Sequence, residues 1–502
     1  MQSILKHDLF KAFKSNLKDK FLLALIFLVF LFGIYSIFYW KENYKFCSAD
    51  MDSAIELNVL YNSVSGDIKR FFFSSVQQEY FLFDHLNLTF VFYILAFWFN
   101  PTRSMYYFMH GITLAIGALP LYKISKMKLN SEVFAFLISI LFIFNPMSIS
   151  FLKGCLIAIR TYSTIPFLLF TWYFYERKKF GLFAIFIFLS VFTKENIGPL
   201  AIMMGLYFLY REKEGKWGFT AIAAGAVVLS IYITALLLST LPHSGLRVIY
   251  SKVLEMHFRT DLDPFYAIRL IPNRLSYLTN IFSLFGFVPL LGAEILVIAI
   301  PTFIENLMYS YSYTTIGMDI WIKNNAILVP FLFISIVYGL KRVGEISKIK
   351  ILPKISKLFV PLLLIFLLSN FALFFIREGD IKEEGFYRKR GIDWRCEIPS
   401  YNYNKRWESL MLLKDAIPKS DSLLIDRSLS LVFADRKNLY IWDVGSTHYF
   451  DVDINYVLIN QELLDCLKAK DPKMEIDITS ITMTGDWKKI EEKNGFILFR
   501  KL

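Results

Sequence analysis

The stretch FLLALIFLVFLFGIYSIFYW, residues 21–40, decides the fold: twenty residues without a charge. As helix it is about 30 Å long, the thickness of a bilayer's hydrocarbon core. Tyr39-Trp40-Lys41-Glu42 follows where a signal peptide would show small residues, so the segment reads as a retained anchor. Lys6, Lys11, Lys14, Lys18 and Lys20 precede it and predict a cytoplasmic amino terminus.

The bulk composition agrees. Of 502 residues, 55% are hydrophobic and 18% aromatic, and the mean hydropathy is +0.46, outside the range of a soluble domain of this size. The net charge of +12 does not imply nucleic acid, because Lys and Arg recur in short clusters between apolar runs, which is a topology signal. Those clusters lie at Lys123-Lys126-Lys128, Arg177-Lys178-Lys179, Arg211-Lys213-Lys216 and Lys341-Arg342. Following their parity gives about eleven spanning helices within residues 1–376. The expected architecture is an all-α polytopic bundle with a first outer loop over 41–104.

From about Arg377 the pattern changes to mixed charge with short β-rich runs at 422–426, 439–442, 454–459 and 495–499, and a helix from Arg406 to Ala416. Residues 377–502 therefore read as a small α/β domain outside the membrane. Cys47, Cys155, Cys396 and Cys466 all face outward on this topology, where oxidation is possible. Cys396 with Cys466 is the pair to test, and four free thiols are the alternative.

Residues 50–85 hold Asp50, Asp52, Glu56, Asp67, Asp84 and His85 at the expected outer surface. Ile55, Leu57, Val59 and Leu60 predict a loosely amphipathic surface helix after Asp52, ended by Ser65-Gly66. Leu86 to Asn100 is too short to cross and reads as interfacial. No phosphate-binding loop, Gly-x-Ser-x-Gly, paired-His or Cys-x-x-Cys spacing is present.

Five residues remain for chemistry. Asp52 is placed to act as a general base or to hold a divalent cation beside a phosphate; otherwise it is an N-cap acid. His85 is placed to contact a phosphate or hydroxyl, or is a plain interfacial histidine. Lys194 and Glu195 close a hairpin with two short arms, at a depth where ionisable residues are costly; they line a site or form an internal ion pair. Arg160 offers a fork of donors to a phosphate, or snorkels.

The ordered set 52–66, Phe83-Asp84-His85, 117–122, Tyr175-Glu176-Arg177 and Lys194-Glu195-Asn196 resembles a large family of prokaryotic multi-pass proteins catalogued as a domain of unknown function. That family is similar to GT-C fold glycosyltransferases. The resemblance implies transfer of a sugar from a polyprenyl-phosphate donor to a glycan, lipid or protein acceptor on the outer face, with inversion. It also implies Asp52 as base and His85, Lys194 and Glu195 around one cavity. Two positions depart from the family pattern: Ile157-Ala158-Ile159 before Arg160, and Lys323-Asn324-Asn325. A transporter or flippase for lipid-linked glycans, or an envelope assembly protein, is the alternative reading.

Overall fold

The computed structural model describes residues 19–43, 51–76, 79–80, 87–153, 159–211, 213–239, 271–309, 323–346, 361–362, 365–372, 403–426, 429–442, 454–461 and 487–502. Asp50, Asp84, His85 and all four cysteines lie outside the described residues, and with them the Cys396–Cys466 pairing.

Helix α1, Lys20–Asn43, is the anchor. Asp19 closes its first turn, accepting from the Leu22 amide at 3.1 Å, from the Tyr122 hydroxyl at 2.8 Å and from Lys126 Nζ at 2.9 Å. A carboxylate there compensates the unpaired N–H groups of the helix start. It also ties that start to residues a hundred positions away. The chain continues through α2 (Met51–Ser63), the ribbon β1 (Phe73–Ser74) with β2 (Glu79–Tyr80), α3 (Phe90–Phe99), α4 (Arg103–Ala115), α5 (Ala118–Leu129) and α6 (Glu132–Ile143). Next come α7 (Pro146–Lys153), α8 (Ile159–Tyr162), α9 (Thr164–Glu176), α10 (Phe180–Val191), α11 (Ile197–Tyr210) and α12 (Gly215–Ser239). The last helices of the bundle are α13 (Ile271–Leu284), α14 (Ala293–Leu296), α15 (Ile300–Tyr309) and α16 (Val329–Ile346).

Among the described residues five spans are long and apolar enough to cross a membrane: Lys20–Lys41, Glu132–Leu152, Gly215–Thr234, Val288–Leu307 and Asn325–Glu345. The other apolar runs are interrupted. The apolar run Met105 to Tyr122 is divided between α4 and α5 near Gly117. Pro120 has no N–H, and its ring excludes the Ile116 carbonyl four residues back. Helices α9, α10 and α11 have 13, 12 and 14 residues, about 18–21 Å each, against a core of about 30 Å.

Ion pairs gather the helix ends on one face. Lys126 reaches Asp19 and Glu132, Lys128 meets Glu176 at 2.6 Å, and Lys178 meets Glu214 at 2.7 Å. Since α9 and α12 start or end there, the α10–α11 turn lies about 20 Å from this face, less than the about 30 Å of a bilayer's hydrocarbon core. Glycines set a close crossing: a Cβ on Gly205 would fall 2.6 Å from the Gly218 carbonyl, and one on Gly225 2.5 Å from that of Gly198. Helices α11 and α12 thus touch backbone to backbone.

Beyond residue 402, α17 (Tyr403–Ala416), β3 (Leu423–Asp426), α18 (Ser430–Phe433), β4 (Leu439–Trp442), β5 (Tyr456–Asn460), β6 (Trp487–Lys493) and β7 (Phe496–Lys501) form a small α/β unit. The sheet order is β4-β3-β5-β7-β6; β3 runs parallel to β4 and β5, and β7 antiparallel to β5 and β6. Central β5 is buried at every position. Strand β6 is not among the sequence expectations, because its Lys489, Glu491, Glu492 and Lys493 do not alternate with apolar residues. It is an edge strand, protected by charge and by a register shift at Lys489/Glu491. Asn494-Gly495, both at positive φ, turn it into β7.

Helix α2 corrects the expectation of a surface helix: every residue from Ser53 to Leu60 is buried. Ile55, Leu57 and Leu60 share one apolar cluster with Leu410, Val432, Phe433 and Leu439 of the α/β unit. The periodicity of 55–60 shows one apolar face; the second is covered by a part of the chain about four hundred residues later.

Candidate functional site

Asp52 is the second residue of α2, and Glu56 follows one turn later on the same face. Glu56 has no solvent exposure. Its Oε2 accepts from the Tyr106 hydroxyl of α4 at 3.1 Å and from the Ile159 amide that opens α8 at 2.9 Å. Of the acids in residues 50–85, Glu56 is the joint between α2, α4 and α8. Arg160 follows the amide bound to Glu56, so the backbones of the Asp52 face and of Arg160 converge. Their side chains lie outside what is described.

Helix α8 leads into the second group. Thr164, five residues after Ile159 and about 8 Å along a helical axis, shares a 2.8 Å hydroxyl hydrogen bond with Thr193. Lys194 is next in sequence and is buried, at 9% exposure; Glu195 is half-buried. The Leu88 amide donates to the Phe192 carbonyl at 3.1 Å, which fastens the segment after His85 to this same turn. His85 itself lies outside the described residues.

Asn196 donates to Glu305 of α15 at 3.2 Å. Beside it, Tyr277 donates to Asn325 at 2.6 Å, and Asn306 donates to both Tyr277 and Asn325 at 2.9 Å. All three are buried. The turn 323–328 that carries Asn325 packs against α8. The result is a polar seam from Glu56 through α8 to the Lys194 turn and α15. Low local dielectric strengthens every hydrogen bond along it.

Sequence reasoning named Glu56 without its partners and missed Glu305 and His110. His110 is fully buried on α4, its ring 6.2 Å from that of Trp40 and 5.3 Å from that of Tyr162. The available signal was helical spacing: Tyr106, His110 and Thr113 fall at i, i+4 and i+7 within an apolar run. For Glu305 there was none, since its partner Asn196 is 109 residues away. Among the described residues no group of three or more His, Cys, Asp or Glu is arranged to hold a metal ion.

A bundle with five candidate spans, a buried polar seam and a docked α/β unit fits a membrane protein in contact with the lipid bilayer. The chain belongs to the family DUF2079, described as predicted membrane proteins, whose model matches residues 42–498. No curated protein matches it.

Proposed function

We propose that this protein is a membrane glycosyltransferase of GT-C type, moving a sugar from a polyprenyl-phosphate donor to an acceptor on the extracytoplasmic face. The observation that carries the reading is Glu56, buried one turn from Asp52 and bonded to the amide that precedes Arg160. That bond joins the helix that carries Asp52 to the backbone of the helix that carries Arg160. On this reading Asp52 takes the proton of an acceptor hydroxyl, whose oxygen attacks the anomeric carbon. The carbon–oxygen bond to phosphate breaks, and Arg160, Lys194 or His85 stabilises the charge on the departing lipid phosphate.

The orientation follows the lysine clusters, with the ion-paired face and amino terminus cytoplasmic and the α/β unit of 377–502 outside. On this reading the bilayer thins around the shorter helices α9 to α11, which then count toward a total of about eleven. The test is transfer from a panel of labelled polyprenyl-phosphate sugars in membranes. Asp52→Asn is expected to lower turnover by about 10²–10⁴-fold, and unchanged turnover removes Asp52 from the role.

One observation favours the alternative of a transporter or flippase for lipid-linked glycans. Lys194, Glu195 and Asn196 lie where the short helices α10 and α11 meet, with Asn196 bonded to Glu305 of α15, and transport sites are built at such interruptions. Flipping of a labelled lipid-linked glycan without transfer would select it.

A further inference from the structure

We infer that Asn58 is a positioning residue of the candidate site, through which the α/β unit sets the rotation of the helix carrying Asp52 and Glu56. The inference rests on the proposed transfer reaction for its role and on geometry alone for its mechanics.

Asn58 is fully buried. Its Nδ2 donates to the Ala434 and Arg436 carbonyls, both at 2.9 Å, and its Oδ1 accepts from the Ser75 amide at 2.7 Å and from Asn62 Nδ2 at 3.0 Å. A carboxamide has two donor hydrogens and two acceptor lone pairs, and here all four are used. Two residues along a helix are about 200° apart, so Asn58 points away from Glu56. One face of α2 is held by Tyr106 and Ile159, the other by the loop after α18. A rotation of α2 that carried Glu56 off its donors would break the Asn58 bonds as well.

The same loop is gripped on both sides of Asn58. Ser75 Oγ donates to the Lys437 carbonyl, Arg70 donates to Asn438 Oδ1 at 2.9 Å, and Arg103 donates to the Val432 carbonyl at 2.7 Å. Arg70 and Arg103 hold the unit in place without touching α2 in these bonds. Asn58 alone among these donors lies on α2, two residues from Glu56.

The test compares Asn58→Ala with Arg70→Ala, which weakens the same docking without altering α2. Glu56 labelling by a hydrophobic carbodiimide, mapped by mass spectrometry on the full-length protein, needs no substrate. Glu56 is expected to stay unlabelled in wild type and in Arg70→Ala and to label in Asn58→Ala. In the transfer assay, turnover per mole of monodisperse protein is expected to fall about 10–100-fold in Asn58→Ala. The acid limb of its pH profile is expected to move, and neither change is expected in Arg70→Ala. If Asn58→Ala is lost from the membrane, Asn58→Ser, which keeps a hydroxyl, is judged by the same criteria. An unlabelled Glu56 with unchanged turnover and pH profile in the Asn58 variant overturns the inference. If wild type transfers no sugar, the proposed reaction fails while the labelling still decides whether Asn58 holds α2.

Discussion

Glu56 accepts two hydrogen bonds at zero exposure, so truncation there strands the Tyr106 hydroxyl and the Ile159 amide. Glu56→Ala is expected to destabilise by about 2–4 kcal/mol, the cost of two buried unpaired donors, and Glu56→Gln by less, because an amide oxygen still accepts. Thermal unfolding in detergent checks the order; equal midpoints for the two variants would contradict it. Lys414 gives a pH-dependent counterpart in the docked unit. Burial, with Arg103 acting the same way and Asp435 opposing, pushes its ammonium down to about 8, while its Nζ lies 2.8 Å from Asp435. Between pH 8 and the ordinary lysine value of 10.5 the unfolded chain holds a proton that the folded one has released, so this group's contribution to stability rises with pH. The unfolding midpoint of wild type relative to Lys414→Met is expected to climb from pH 8 to pH 10; a flat difference rules the shift out. Neither residue was legible in the sequence. The partners of Glu56 lie 50 and 103 residues away, and no local pattern reports such pairings.

At the level of elements, local pattern served where neighbours in sequence are also neighbours in space. Leu423–Asp426, Leu439–Trp442 and Tyr456–Asn460 are strands where short β-rich runs predict them, and α1 fills the uncharged run of 21–40. It failed at Met105–Tyr122, where hydropathy sees one apolar run and Pro120 makes two helices. It failed again at β6, whose edge position rewards charge over alternation. The α11–α12 contact follows the same logic of shape over hydropathy. Gly225→Val is expected to cost at least about 1–3 kcal/mol, because the added Cβ meets the Gly198 carbonyl, a backbone atom that cannot rotate away. In α16, a Cβ added at Gly344 would meet nothing within 4 Å, so Gly344→Ala is expected to stabilise by about 0.5–1 kcal/mol through helix propensity. Opposite signs in the two unfolding midpoints check the pair, and a shared sign would show that the crossing is not close.

Across the whole molecule, the carboxyl-terminal sheet was legible from its β-rich runs, but its union with the first loop was not. The first loop and the α/β unit share one buried cluster, joined by Asn58, Arg70, Ser75 and Arg103 to the stretch 432–438. Four polar side chains reaching one short loop leave α2 with no solvated face, and its burial therefore depends on a unit outside the bundle. Deleting residues 403–502 removes that cover while leaving all five candidate spans, which end by Glu345. The truncated chain is expected to insert, since insertion follows the apolar spans. Its 51–76 segment is expected to become cleavable by protease added to the side on which the α/β unit lies, because exposed backbone is what proteases attack. Wild type under the same treatment is expected to resist there. Cleavage mapped by mass spectrometry on vesicles of each orientation also reports which compartment that side faces. Resistance of 51–76 in the truncated chain from both sides would mean that the bundle covers α2 by itself.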